Sequence, residues 1–357
     1  MLGASCSSPG QLQRQRPGLP QANVQPPGSI YVVDTGHNRI VRMDDMSGLN
    51  PQFLASGAGP FSHPTGVAVY RTGLHLPRDT SGYQIYVADQ LNNRIVRVDD
   101  MAGTNAASLG TPGAGDLKFH KPTRVALDSS GLYVTDADNQ RLVKMNDITG
   151  AGWVGIRVDR DVWTDINSSP CKQNPGDGTA PGSMGLALHR GQIYVTTSTH
   201  VMRIDPLQTT QPFPACTDDQ MHTFGPWSYY GLLCCSDNNL FRNPNNRYSP
   251  QGMAFGADGR IYVADTANNR IVRIDNMNGA NLVELRNKPG APADAFKFPA
   301  AVTIGSDGEI YVADTSNNRI VAMKDIDGSG WTTCCTDSAN ASLFSSPMDV
   351  YVGPGPH

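Results

Sequence analysis

Residues 261–275 read IYVADTANNRIVRID, and the stretch recurs as IYVVDTGHNRIVRMD (30–44), IYVADQLNNRIVRVD (85–99) and IYVADTSNNRIVAMK (310–324). LYVTDADNQRLVKMN (132–146) is a further close copy. Each holds two short apolar or alternating runs, IYVAD and RIVRI, the pattern of short β-strands. Between them lies D-x-x-N-N-R, rich in residues that accept turn dihedrals. Self-similarity of this kind overrides the two or three domains that 357 residues would otherwise suggest.

Working outward, each full unit opens on an aromatic and proline signal: FSHP (61–64), FHKP (119–122), FKFP (296–299) and FSSP (344–347). Short apolar strands follow the lead-ins, reading GVAVY, RVALD, GLALH, GMAFG and AVTIG in successive units. After RIVRI a D-[MI]-x-G-type turn leads into an outer, more variable strand. Four antiparallel strands per unit make a propeller blade.

The phrase D-x-x-N-N-R-I-V after I-Y-V-A, preceded by F-x-x-P-x-G-V-A-V, resembles the NHL repeat. The resemblance runs over nearly everything from Ser29 to Val352. It implies a β-propeller, and the IYV-type strands at Tyr31, Tyr86, Tyr133, Tyr194, Tyr262 and Tyr311 give six blades. The two ends complete each other. The first IYVVD strand has no F-x-x-P strand directly before it, and FSSPMDVYV (344–352) has no IYVAD strand after it. Met348–Val352 is therefore expected as the inner strand of the blade begun by Ser29–Met46, which closes the ring and leaves few free edges. The expected fold is all-β, a six-bladed β-propeller of four-stranded antiparallel blades. Residues 1–28, rich in Pro, Gln, Gly and Arg, read as an arm or linker. The propeller takes 29–357, with insertions at 154–181 and 207–247.

Composition agrees. Gly, Pro, Asn and Asp are abundant, while Glu occurs only at Glu284 and Glu309. No run approaches the ~18 apolar residues of a membrane helix, so no membrane span is expected. The net charge of −4 gives no global case for nucleic acid. The cysteines are Cys6, Cys171, Cys216, Cys234, Cys235, Cys334 and Cys335, with neither haem-attachment nor zinc spacing. Disulfides in an oxidising compartment are expected, involving Cys171, Cys216, Cys234, Cys235, Cys334 and Cys335. The location expected is extracellular, periplasmic or cell surface, although MLGASCSSPG has no apolar signal core. Sequons at Asn167 and Asn340 fall in inter-blade loops.

The repeated polar residues look structural. Asp34, Asp89, Asp136, Asp265 and Asp314, with Arg39, Arg94, Arg141, Arg270 and Arg319, are like groups spread around a ring, whereas an active site needs unlike groups at one point. The aspartates are expected to form Asx-turns with the next turn, and the arginines to pair with aspartates within or between blades. Departures from the repeat carry more information. Two residues after the F-x-x-P proline the copies carry Gly66, Arg124, Gly185, Gly252, Ala301 and Asp349. Small residues there would leave the channel mouth open, with Arg124 and Asp349 projecting near it as a salt bridge, a solvated plug or a ligand-gripping pair.

His63 and His120 also lie near inner-strand starts. NHL-type propellers such as the peptide-amidating lyases are similar in holding a channel metal with histidines, and six-bladed hydrolases and lactonases hold calcium with carboxylates and amides. The resemblance thus offers His63, His120 and Asp349 as metal ligands of a lyase or hydrolase, although a site needs three converging ligands.

The copy at 193–205, IYVTTSTHVMRID, is two residues shorter and lacks the aspartate, the amide pair and the arginine. It sits between the two insertions, which carry Trp163, Trp227, Tyr229 and Tyr230. Meander logic places both insertions on the face of the D-x-x-N-N-R turns, where they could form a lid or recognition ridge or merely pack over the short hairpin. LLCCSD (232–237) and TTCCTD (332–337) fall on or just after the outer strands of blades four and six. Their adjacent cysteines could bond to each other, to other cysteines or between subunits. The function expected is non-catalytic: an exported or surface binding or structural module presenting the insertion-bearing face to a protein or glycan, with self-assembly a further option. The alternative is the channel-metal enzyme, and an RNA-binding NHL module comes third. No cofactor is expected beyond that channel metal.

Overall fold

The computed structural model describes residues 29–71, 82–157, 185–196, 201–205, 228–232, 250–277, 279–335 and 343–353. They form six four-stranded antiparallel sheets, the blades of a propeller, numbered here by their IYV strands. Blade 1 takes its inner strand, Pro347–Val352, from the C-terminus and continues through Ile30–Asp34, Arg39–Met43 and Gln52–Leu54. Val32 lies opposite Val350 in that closing pair, and the Gly353 amide donates to the Ser29 carbonyl at 2.6 Å. The closure expected from the incomplete ends is the one observed.

Alternation drives the packing. Residues of one strand point in turn to the two neighbouring blades, so buried clusters lie between neighbours rather than within blades. Tyr31, Val33 and Ile40 of blade 1 meet Val67, Ile85 and Val87 of blade 2; Ile30, Val32 and Met43 meet Ala313 and Ile320 of blade 6. Each fully buried Val or Ile contributes about 1.5–3 kcal/mol, and the IYV and RIV positions supply them in every blade.

The hairpin joining the middle strands is a short 3-10 turn such as Thr35–His37, ended by a left-handed residue. Asn38, Asn93, Asn269 and Asn318 take φ of 53° or 54°, which asparagine accepts more readily than most side chains. Each of these amides also reaches the next blade. Asn38 Oδ1 accepts the His63 amide at 2.7 Å, Asn93 that of Lys121 at 2.9 Å, Asn269 that of Phe298 and Asn318 that of Ser346, both at 2.8 Å.

The aspartates do not form the expected Asx-turns, since Asp34, Asp89, Asp265 and Asp314 make no side-chain cap bond to the turn that follows. Instead one oxygen of Asp34, Asp89, Asp136 and Asp314 accepts the amide of Ser345, Ser62, His120 or Lys297, at 2.6–2.7 Å. Those amides belong to the lead-in of the same blade's inner strand. The other oxygen takes the arginine five residues on, at 2.6–2.8 Å in all five blades. The arginines therefore pair within blades, and the outer nitrogens of Arg39, Arg94, Arg141 and Arg319 hold the inter-blade loop, while Arg270 reaches Glu284 on the outer strand of its own blade. Arg94 donates to the Ala58 carbonyl at 2.6 Å and Arg141 to that of Ala114 at 2.7 Å. Completely buried carboxylates persist because every one is paired and hydrogen-bonded.

The insertion boundaries need correction. Val154–Arg157 is the outer strand of blade 3, and Ser228–Leu232, inside the expected 207–247 insertion, is the outer strand of blade 4. Asp205 faces Ser228 across that last pair, so the connection 206–227 leaves from the blade end opposite the NHL turns. Only 158–184 and 233–249, which run from an outer strand to the next inner strand, leave on the turn face. Residues 1–28, His200, Asn167 and Asn340 lie outside the described residues. Blade 4 otherwise keeps its hairpin, with Ile193 opposite Ile204 and Thr196 opposite Val201.

Candidate functional site

The inner strands converge at the channel mouth on the turn face. Four of them shift register just after the proline, between Pro64 and Gly66, Pro122 and Arg124, Pro299 and Ala301, and Pro347 and Asp349. Such a bulge takes one residue out of the ladder. Here it is Thr65, Thr123, Ala300 or Met348, each with a carbonyl that needs another donor. The proline carbonyls are served by the preceding blade: the hydroxyls of Thr35, Thr266 and Thr315 donate to Pro64, Pro299 and Pro347 at 2.7 Å.

Arg124, buried in the inner strand of blade 3, collects the bulge carbonyls. Its Nη1 donates to the Thr65 carbonyl of blade 2 and, at 3.5 Å, to its neighbour Thr123. Its Nη2 donates to Ala300 of blade 6 at 3.2 Å and Met348 of blade 1 at 3.0 Å. One guanidinium thus joins four blades. Its Nε faces Asp349 Oδ2 at 3.9 Å, while that carboxylate accepts the amides of Val67 and Val350, both at 3.1 Å. Burial pushes the Asp349 carboxyl up from its ordinary range, against the opposing pull of Arg124 and the two amides. In blade 5 the equivalent carbonyl, Gln251, is met by the Thr196 hydroxyl at 2.6 Å.

The expected pair is therefore brought together, but as a clamp with its terminal N–H groups committed to main-chain carbonyls. The small residues around it do not hold a mouth open. A β-carbon on Gly66 would lie 2.7 Å from the Thr123 carbonyl oxygen, on Gly185 1.8 Å from that of Gln251, and on Gly252 2.6 Å from Ala301 Cα. Neighbouring backbones approach too closely for any side chain, and that closeness is what selects glycine.

His63, His120 and Asp349 do not converge: among the described residues no three His, Cys, Asp or Glu side chains group as metal ligands do. His63 is exposed, on the loop that Asn38 holds. His120 is also exposed, with Nε2 3.5 Å from Asp138, whose same oxygen receives Lys121 Nζ at 2.8 Å. Tyr229 and Tyr230 fall on the outer strand of blade 4, where Tyr229 is registered against Ile204. Trp163, Trp227, Cys171, Cys216, Cys234 and Cys235 lie outside the described residues. Cys334 ends the outer strand of blade 6 and is bonded to Cys335. The bulge carbonyls and threonine latches were missed from the sequence, although the recurring threonine after IYVAD was a signal for the latter.

Comparison with known proteins agrees with this architecture. The NHL repeat model matches residues 248–274 and 296–323. No curated protein matches the chain by sequence. Among solved structures, a nidogen/laminin complex contains a similar chain with TM-score 0.55 and 15% identity, the match covering 86% of this chain and 93% of that one. A streptogramin B lyase is similar with TM-score 0.51 and 17% identity, over 88% and 81%. A putative 6-phosphogluconolactonase from Bacteroides fragilis is similar with TM-score 0.50 and 10% identity, over 95% and 100%. Identities this small show a shared fold alone. The chain is thus a six-bladed β-propeller in which the NHL repeat is matched in blades 5 and 6.

Proposed function

We propose that the chain is a non-catalytic binding or structural module of the cell exterior, presenting its turn face to a protein or glycan. The observation that carries this reading is the commitment of Arg124 and Asp349. The two residues most unlike their counterparts in the repeat spend their hydrogen bonds on holding inner strands together. The strand ends from which the connections 158–184 and 233–249 depart also lie on the turn face, beside the odd fourth blade, and loops on a rigid scaffold are where binding residues concentrate. The Cys334–Cys335 bond fits an oxidising compartment.

Elemental analysis of the purified full chain tests the reading. The expected result is no stoichiometric transition metal or calcium. A stoichiometric metal that is lost in Asp349→Ala, or in the joint His63→Ala and His120→Ala variant, would replace this reading with a channel-metal enzyme.

A further inference from the structure

We propose that Cys334 and Cys335 are a thiol–disulfide switch on the seam where the C-terminal strand closes the ring. Cys334 is the last residue of the blade 6 outer strand Thr332–Cys334, and the two sulfurs are bonded to each other. The pair is buried in one apolar cluster with Phe344, Val350 and Val352, which lead into and form the closing strand, and with Ile30, Val32 and Met43 of blade 1. Cys334 Sγ lies 3.8 Å from Met43 Sδ. A β-carbon on Gly48 would lie 3.1 Å from Cys335 Sγ and 3.4 Å from Cys334 Sγ, so the blade 1 turn rests directly on both sulfurs. Cys335 has φ 71°, a left-handed conformation costly for a residue with a β-carbon.

The chemistry follows from that packing. An external dithiol reduces the bond: the Cys334–Cys335 S–S bond breaks, each sulfur gains one electron and one proton, and the reductant leaves as its own disulfide. Two thiols cannot stay at bonding distance and must part to van der Waals separation, roughly 3.5–4 Å. The extended strand would turn the two side chains to opposite faces, and release lets Cys335 leave its left-handed conformation. Gly48 and Met43 occupy the space the sulfurs would enter, so blade 1 must shift against blade 6. The chain runs from Cys335 of blade 6 directly into the closing strand, which is laddered to Ile30–Asp34 through strand hydrogen bonds, so the shift falls on the seam formed by Pro347–Val352 and Ile30–Asp34.

The test uses the full chain before and after treatment with dithiothreitol. Differential alkylation with peptide mapping should find Cys334 and Cys335 blocked before reduction and both alkylated after it. Hydrogen exchange should then be several-fold faster in 347–352 and 30–34, and unchanged in 85–89 of blade 2. Cys335→Ser should show the fast seam with or without reductant; should that variant fail to fold, the wild-type comparison decides alone. Free thiols before reduction, a pair that the reductant does not open, an unchanged seam after reduction, or equal loosening of every blade would each overturn the proposal.

Discussion

Arg124 Nη2 donates to the main-chain carbonyl of Met348 at 3.0 Å, tying blade 3 to the closing strand of blade 1. The same guanidinium reaches blades 2 and 6. A ring of blades is held by pairwise interfaces and one closing seam, so a group that contacts four blades resists opening at several places at once. Arginine suits the position because its planar fork offers several donors in fixed directions.

The Asp349 carboxyl predicts a pH effect of defined sign. Its pKa is raised in the folded chain by burial, so the native state holds the proton more tightly than the unfolded chain. Stability from this group is full below the unfolded carboxylate pKa, about 4, and is lost as pH rises through the raised folded value. Asp349→Asn keeps an acceptor for Val67 and removes the titration. Denaturant midpoints at several pH values should show the wild type losing ground to the variant as pH climbs from about 4. A difference that does not change with pH would contradict the assignment.

Asn93 does two jobs, and two substitutions separate them. It holds φ 53° and accepts the Lys121 amide of the next blade at 2.9 Å. Asn93→Gly relieves the dihedral and loses the inter-blade bond together with the exposed 3.3 Å donation of Nδ2 to the Leu91 carbonyl, at a cost of about 1 kcal/mol. Asn93→Ala adds about 1–2 kcal/mol for the left-handed backbone. Urea unfolding should rank the wild type above the Gly variant and the Gly variant above the Ala variant.

Gly252 is fixed by crowding. A methyl group there would meet Ala301 Cα at 2.6 Å and the Ala300 carbonyl oxygen at 2.8 Å. Gly252→Ala should cost about 1–3 kcal/mol through overpacking, read as a lower melting temperature with the propeller's circular dichroism retained. An unchanged melting temperature would show that the inner strands can separate freely at this layer.

The IYV and RIV strands, the blade count and the closing strand were legible because each rests on local alternation and repeats along the chain. Arg124 and Asp349 stood out as departures from a repeat, and their meeting followed from the ring. What they bond to was not legible. The carbonyls of Thr65, Ala300 and Met348 lie 59, 176 and 224 residues from Arg124 in sequence and are released only by bulges that arise where six strands crowd one axis. The second insertion was misread for a related reason. The segment after Asp205 has no D-[MI]-x-G turn, so nothing local marked Ser228–Leu232 as the fourth strand.

Arg124 holds the ring rather than a ligand, and equilibrium unfolding of Arg124→Met shows whether it does. The variant should lose about 3–5 kcal/mol of stability, because Asp349 loses its counter-charge and the bulge carbonyls lose their donor. Unchanged stability in that variant would contradict this and return Arg124 to the role of a residue kept for binding.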